Sequence, residues 1–353
     1  MGCGRIAQTH AGYLRQTRHV ELVGACDVNP AGREAFTNRW QVPTFADIDE
    51  MIDAARPQAV HLVTPPSTHA PLAEKLLNAG LHVLIEKPMA FTAAEVDAML
   101  ATAKRNQRYV MANHNRWFDP VVQAARRLVS SGQLGEIVGV DVFQGAAAGE
   151  ADAPAGQQDH WSSQLPGGVL FNLAPHPVYL LSGFTGKVDQ VQVLARSDDG
   201  GRLREVRATV SGAQCLGSLT ISLNAQPFMN RLVVYGTKMT AEVNLNNMTL
   251  VVRQTRKLPK VVGKILGKVL PNFEEAWQLV RATVVNGVEF VLGRQRYYPG
   301  MGIHFSALYA ALAKGAAPPV SGEEAREAVW LLERIWEAAG VRMQPEPRRA
   351  VNE

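Results

Sequence analysis

The sequence predicts an α/β chain in two parts: a doubly wound parallel sheet, then an α+β domain with a large, mostly antiparallel, open-faced sheet. Three observations carry this. Short apolar runs alternate with helical segments through the first third, and a glycine-bearing turn opens the chain. After Asp119-Pro120 the runs lengthen, alternate apolar with polar residues, and follow one another directly. Alternating strands and helices cover both faces of a parallel sheet, whereas consecutive alternating strands leave one face of an antiparallel sheet in water. At 353 residues the chain is long for one core and suits two. The change of pattern divides it into 1–118 and 119–353.

The elements follow in order. Val20 to Cys26 is β-rich and ends in Asp27, and Asn29-Pro30 then starts a helix. Ala59 to Val63 is a short apolar strand, followed by Thr64-Pro65-Pro66 and a helix stopped by Ala79-Gly80. Leu81 to Ile85 is another buried strand, after which come Glu86-Lys87-Pro88, a helix from Thr92 to Lys104, and a strand from Tyr109 to Ala112. A helix follows Asp119-Pro120 as far as Ser130. Six strands are predicted beyond it: Ile137 to Phe143, Val188 to Ala195, Glu205 to Val210, Leu216 to Leu223, Arg231 to Tyr235 and Thr240 to Leu245. Ser321-Gly322-Glu323-Glu324 is a capping box that opens an amphipathic helix to Ala339.

Composition excludes several classes. With 46% apolar and 19% charged residues the chain is globular rather than disordered. No run of about 18 uncharged apolar residues exists, so no membrane span is expected. Cys3, Cys26 and Cys215 form neither a metal-ligand nor a disulfide pattern, and no metal is expected. With no signal-peptide layout at the start, this predicts a reducing, cytoplasmic setting. A net charge of +4 is too small to argue for nucleic acid. The charge is local, however: Arg253, Arg256, Lys257, Lys260, Lys264 and Lys268 stand in one stretch with no acid among them. Within it Lys260, Lys264 and Lys268 share one helical face and Val261, Val262, Ile265, Leu266, Val269 and Leu270 cover the other. That predicts an amphipathic helix, either packed on the sheet or against a second copy, or touching an anionic membrane surface through 253–270.

Gly2-Cys3-Gly4-Arg5-Ile6-Ala7 matches the G-x-G-x-x-[GA] dinucleotide fingerprint. Its glycines allow a tight turn and close approach of a pyrophosphate, which the following helix N-terminus favours. Asp27 stands at the end of a predicted strand, where an acid bonds the adenosine ribose hydroxyls and repels a 2′-phosphate. NAD is therefore expected in preference to NADP. The apolar strand that normally precedes the fingerprint is not in the sequence, and a chain extended upstream by such a strand is expected to be the more stable.

With these residues in view, the sequence resembles the Gfo/Idh/MocA oxidoreductases. The resemblance covers nearly the whole chain. It rests on the fingerprint with His10, Cys26-Asp27-Val28, Thr64-Pro65-Pro66-Ser67-Thr68-His69, Glu86-Lys87-Pro88, Asn115-Arg116-Trp117-Phe118-Asp119-Pro120, Gly167-Gly168 with His176, Tyr235-Gly236-Thr237, and Pro318-Pro319-Val320 with Glu323-Glu324-Ala325-Arg326. It implies a Rossmann domain followed by an α/β domain whose open sheet often serves oligomerisation, NAD or NADP as cofactor, and a sugar, cyclitol or nucleotide-sugar substrate. It implies cofactor contacts from Gly2, Gly4, Arg5, Ile6, Asp27, Thr64, Pro65, His69, Glu86 and Lys87, with Lys87 the active-site lysine. The family's second motif is an Asp, three residues and a His. Here it reads Asn172-Leu173-Ala174-Pro175-His176, and Tyr179 stands where an acid often follows.

Oxidising a secondary alcohol needs a base for the hydroxyl proton and a cation near the developing alkoxide. His176 and Lys87 are the expected catalytic pair, with Arg116, Asn172, Trp161 and Tyr179 toward substrate. Asn172 can orient a hydroxyl but cannot take its proton. His10 and His69 are read as helix-start residues that satisfy backbone groups. The leading expectation is an NAD-dependent sugar or cyclitol dehydrogenase and homo-oligomer. The alternatives are a non-catalytic NAD(H)-binding protein, or a redox-neutral NAD-dependent enzyme such as a glycosidase.

Overall fold

A computed structural model describes residues 1–145, 162, 165–199, 201–254, 260–293 and 298–343, without the side chains of 260–266 and 268. The chain divides into two compact units: Met1–Asn115 with Met301–Glu333, and Arg116–Gly300 with Arg334–Val341.

The first unit holds β1 (Ala25–Cys26), β2 (Thr44–Phe45), β3 (Ala59–Leu62), β4 (His82–Ile85) and β5 (Val110–Ala112), all paired in parallel, as β1 with β2 and as β3–β4–β5. Met1 and Gly2 join the two ladders. The Met1 ammonium donates to His61 O at 2.6 Å, Val63 N–H to Met1 O at 2.9 Å, and Gly2 N–H to Cys26 O at 2.7 Å. The strand expected from Val20 is only Ala25–Cys26. A strand exists through its ladder, and Val20–Gly24 has no ladder partner among the described residues.

Helices α1 (Arg5–Leu14), α2 (Pro30–Trp40), α3 (Ile48–Ala55), α4 (His69–Asn78) and α5 (Ala93–Arg105) alternate with these strands. Their starts are local chemistry. Asn29 Oδ1 accepts from Ala31 N–H at 3.0 Å, with Pro30 at the first helical position. Thr92 and Glu95 form a capping box. Leu62, Leu76, Leu77, Val83, Ile85, Val96, Met99 and Val110 make the core. Ala325 and Val329 of the last helix, α11 (Gly322–Ala338), join it. Ser321 and Glu324 make the expected capping box at the start of α11, with bonds of 2.8 and 3.1 Å. The helix α10 (Pro299–Leu312) escapes sequence reading because it is apolar on most sides and has no 3.6-residue stripe.

The second unit opens with α6 (Pro120–Ser130). Its sheet comprises β6 (Ile137–Gly145), β7 (Val188–Ser197), β8 (Leu203–Gly212), β9 (Leu216–Ser222), β10 (Asn230–Gly236), β11 (Met239–Asn244) and β12 (Thr249–Gln254). The order is β12-β11-β10-β6-β9-β8-β7, antiparallel except for the parallel β6–β9 pair. Val140, Val142, Val206, Ala208, Val210, Leu219, Ile221, Leu232, Val234, Ala241 and Val243 alternate onto the buried face. Of the short helices α7 (Val169–Leu173) and α8 (Pro175–Thr185), α8 packs on β6 and β9. The other face is polar and open, as expected: Asp141 accepts from Ser218 Oγ and, at 2.8 Å, from Tyr235 Oη. The helix expected over 260–270 is the start of α9 (Lys260–Val291), 32 residues long, which continues through Pro271.

Asp119, just ahead of α6, is buried. Gly300 N–H donates to its Oδ1 at 3.0 Å and Arg116 Nη1 lies 3.8 Å from Oδ2. Burial pushes the carboxyl up to about 6, against the opposing pull of Arg116 and Gly300. A raised acid pKa means that the folded state holds the proton more tightly than the unfolded chain. Stability from this group is therefore fullest below the unfolded value and is lost as pH rises through about 6. Asp119→Asn keeps the bond from Gly300 and removes the charge. Relative to the parent it is expected to gain up to about 3 kcal/mol near neutral pH, shrinking to nothing near pH ~4. Urea unfolding of both proteins across that range measures it.

Candidate active site

The turn before α1 is shaped by two glycines in different ways. Gly2 has φ +90°, and a Cβ there would stand 2.9 Å from Val63 O, so the protein's own backbone excludes a side chain. Gly4, the N-cap of α1, has an ordinary φ of −70°, and a Cβ there would meet nothing within 4 Å. Open space in front of a helix N-terminus with no side-chain cap is a place for an anion. Arg5 is exposed and Ile6 packs against the small core of Cys3, Ala7, Ala25 and Phe36. Burial, then the Asp27 carboxylate, pushes the Cys3 thiol up to about 11, so it stays protonated.

Asp27 lies at the end of β1. Its Oδ2 accepts from Cys3 N–H at 2.6 Å and its Oδ1 from Asn29 N–H at 2.8 Å. The carboxylate is thus oriented by the glycine turn itself, and each oxygen keeps acceptor capacity for a ribose hydroxyl. This donor set, with the space at Gly4, fits a dinucleotide.

Thr64, Pro65 and Lys87 sit on loops after β3 and β4, the carboxyl ends of neighbouring parallel strands. His69 ties these loops together: Nε2 lies 2.9 Å from Thr64 O and Nδ1 2.9 Å from Pro88 O. It is fully buried, and burial lowers its pKa. It thus satisfies backbone groups at a helix start, as read from sequence, and so holds both loops rather than making the direct cofactor contact that the motif implied. Glu86 differs from expectation in the same way. Its Oε1 accepts from His10 Nε2 at 3.0 Å and from Asn113 Nδ2, and its Oε2 accepts from Lys87 N–H at 3.0 Å. Burial pushes this carboxyl up, but the His10 and Asn113 hydrogen bonds and the nearby His10 and Lys87 charges prevail, and its pKa lies below the usual value. Glu86 therefore positions Lys87. A sequence motif does not say which of its side chains turn inward.

Nor does His10 serve backbone groups at a helix start, as read from sequence. It lies within α1, and its Nδ1 is 2.8 Å from His61 Nδ1, while His61 Nε2 is 2.9 Å from Tyr309 Oη. Tyr309, His61, His10 and Glu86 thus form one continuous chain of hydrogen bonds. On the other side Asn113 Oδ1 lies 3.1 Å from His304 Nδ1. Burial lowers the pKa of His61, and takes His114 and His304 to about 3. Sequence reasoning missed His61, Asn113, His304 and Tyr309. The available signal was a polar residue inside or just after each apolar strand, as in Val60-His61-Leu62.

In the second unit, α7 carries Asn172 and the first turn of α8 carries His176, both half-buried. Tyr179, one turn on, is buried, and its Oη lies 3.0 Å from His176 Nδ1 and accepts from Arg116 N–H at 3.0 Å. In the tautomer that donates Nδ1–H to Tyr179, Nε2 is the basic nitrogen. The structure thus brings Arg116, His176 and Tyr179 together, with Tyr179 as the fixed point. Trp161 lies outside the described residues. Among the described residues no cluster of His, Cys, Asp or Glu could hold a metal ion.

Residues 1–114 match a family described as oxidoreductases with an NAD-binding Rossmann fold, and residues 122–242 match the GFO/IDH/MocA C-terminal domain. The chain belongs to the Gfo/Idh/MocA oxidoreductase family. Its first unit is an NAD-binding Rossmann domain. Inositol 2-dehydrogenase of Rhizobium meliloti is 34% identical over 137 residues, 39% of this chain and 41% of that protein. D-xylose dehydrogenase of Paenarthrobacter nicotinovorans is 26% identical over 67% of this chain and 66% of that one. The chain thus spans less than two thirds of the length of either relative. The WlbA dehydrogenase of Bordetella pertussis, solved with NADH and UDP-GlcNAcA, shares the fold: TM-score 0.75, 21% identity, 96% of this chain and 94% of that one.

Gly4→Val tests the cradle of this family member. The space is empty of protein atoms and the backbone there is unstrained, so the melting temperature of the apo protein is expected to stay within that of a surface change, about 0.5 kcal/mol. NAD affinity, measured by calorimetry, is expected to fall by about 100-fold or more, since the side chain occupies the phosphate position.

Proposed function

We propose that this protein is an NAD-dependent dehydrogenase acting on a secondary hydroxyl of a sugar, cyclitol or nucleotide sugar. The observation that carries the reading is the Gly2–Gly4 turn with Asp27 clamped beside it, in a chain of this family. The relatives' names, inositol 2-dehydrogenase and D-xylose dehydrogenase, support the substrate class. NAD, when bound, supplies the hydride acceptor. Gly2, Gly4, Arg5 and Asp27 hold it, with Ile6, Thr64 and Pro65 alongside. The Asp27 carboxylate favours a free 2′-hydroxyl over a 2′-phosphate.

Lys87 stays protonated and donates a hydrogen bond to the substrate oxygen, stabilising it as its proton departs. His176 Nε2 takes that proton while Tyr179 Oη holds the ring at Nδ1. The C–H electron pair leaves as hydride, the hydroxyl carbon becomes a carbonyl, and the proton rests on His176. Arg116 and Asn172 contact the sugar. The first 118 residues serve the cofactor, and 119–353, apart from residues 301–333 that return to the first unit, serve the substrate and assembly. We place the protein in the cytoplasm as a homo-oligomer, supported by three free cysteines and by the open face of the seven-stranded sheet.

Asn172, where the family has an acid, favours a second reading: an NAD(H)-binding protein that does not turn over, or one doing redox-neutral chemistry. A screen of sugars and nucleotide sugars with NAD, read as NADH absorbance, decides between them. Lys87→Ala and His176→Ala are each expected to lower turnover roughly 100-fold or more with NAD affinity nearly unchanged. Asn172→Asp is expected to keep or raise activity. Bound NAD that no candidate reduces, in the parent and in Asn172→Asp alike, favours the second reading.

A further inference from the structure

We propose that the outward face of α9 is an interface with a second copy of this chain, the two helices packed antiparallel across a two-fold axis near Trp277 and Val280. This surface is separate from the open sheet face that supports the homo-oligomer reading. An ordinary surface helix turns its apolar stripe inward, and α9 does the reverse. Its polar side is fastened to the edge of the sheet. The Gln278 amide accepts from Val252 N–H at 2.8 Å and donates to Val252 O at 3.0 Å, so it pairs with the edge strand β12. Glu275 takes both Nε and Nη2 of Arg253, at 2.6 and 2.9 Å. Asn286 Nδ2 donates to the carbonyls of Asn247 and Met248 at 2.9 and 3.0 Å.

The opposite side carries two interleaved sets of residues. Trp277, Val284 and Val291 are seven residues apart, and so are Phe273, Val280 and Gly287. All of them are exposed. At 3.6 residues per turn they stay within an arc of about 80° along about 27 Å of helix. Alternate steps of four and three make a 3.5-residue repeat, the seam by which one helix packs on another. With Phe273 exposed to 68%, Trp277 to 67% and Val291 to 83%, the seam and its margins offer on the order of 700 Å² per copy. That is close to the ~800 Å² that each partner gives to a stable interface.

Two features select a second copy and its direction. Bulk is uneven along the seam: Phe273 and Trp277 lie in one half, and Val280, Val284 and Gly287 in the other. A two-fold axis across the helix sets one half against the other, large against small. Phe273 then meets Val284 of the partner subunit, Trp277 meets the partner subunit's Val280, and Leu270 meets the partner's Gly287. A Cβ on Gly287 would meet nothing within 4 Å in its own chain, and glycine weakens a helix interior, so this notch serves the seam rather than the fold.

Charge is self-complementary in the same direction. Glu274 and Arg281 flank the seam on one side, seven residues apart. In an antiparallel pair this flank meets the same flank of the other copy, so Glu274 faces the partner's Arg281 and Arg281 faces the partner's Glu274. In a parallel pair it would meet the opposite flank, where Ala276, Thr283 and Phe290 carry no charge. A lipid surface asks for an excess of cations, and this flank is balanced.

Sedimentation equilibrium of the full chain tests this. Phe273→Ser/Trp277→Ser is expected to weaken association about 100-fold or more and to halve the mass of the assembly, with NAD affinity unchanged. Arg281→Glu sets like charges against each other and is expected to weaken association about tenfold. Glu274→Arg/Arg281→Glu restores opposite charges across the axis and is expected to recover the parent's affinity, which a flank that merely favours solubility would not do. Glu274→Cys/Arg281→Cys is expected to give a covalent dimer on oxidation that thiol reductant dissolves, whereas neither single variant gives one. A parent that is monomeric, a double serine variant with the parent's mass, or a charge exchange that does not restore association overturns the proposal. So does a monomer that floats on phosphatidylglycerol vesicles through Phe273 and Trp277, which would assign the stripe to a lipid surface.

Discussion

A carboxylate with almost no access to water organises the first unit. Glu86 follows a parallel strand into the interior, and a buried charge is tolerable only when its oxygens are satisfied. His10 reaches it from α1, Asn113 from the end of β5, and the backbone N–H of Lys87 from the next residue. Through His10 and Asn113 the requirement extends to His61, Tyr309 and His304, so that α10 is bound to the nucleotide-type sheet by polar contacts as well as by packing. The loop bearing Lys87 is held at two points, by Glu86 from one side and by His69 at Pro88 from the other. A lysine that must meet one substrate atom needs such restraint.

The cofactor cradle obeys a complementary constraint, empty space next to fixed donors. Gly2 is glycine because Val63 O leaves no room, and Gly4 is glycine although the protein leaves room. The first serves the fold and the second serves the ligand. Asp27 joins them, since the Cys3 N–H that bonds its carboxylate lies between the two glycines. In the second unit Tyr179 has the corresponding role: one hydroxyl sets the backbone of Arg116 and the ring of His176.

The second unit also shows how polarity can be deployed against habit. The edge of a sheet is a row of unpaired amides, and β12 covers part of its own with the side chain of Gln278. Spending the polar face of α9 on that edge leaves its valines and aromatics turned outward.

The sequence by itself determined the order of elements and the chemistry of their ends. The fingerprint, the strand-terminal Asp27, the caps at Asn29, Thr92 and Ser321, and the change from alternating elements to consecutive strands are local patterns, set by spacing and by which residues can satisfy a free N–H. Tertiary structure alone decided what each motif residue faces. Glu86 and His69 lie in the motifs that the sequence marked, yet they turn inward, because their partners His10, Asn113 and Pro88 come from elements far along the chain. The return of residues 301–333 to the first unit, the strand β12, and the outward stripe of α9 were hidden for the same reason. Periodicity shows that a helix has an apolar side, and only its neighbours determine whether that side is covered.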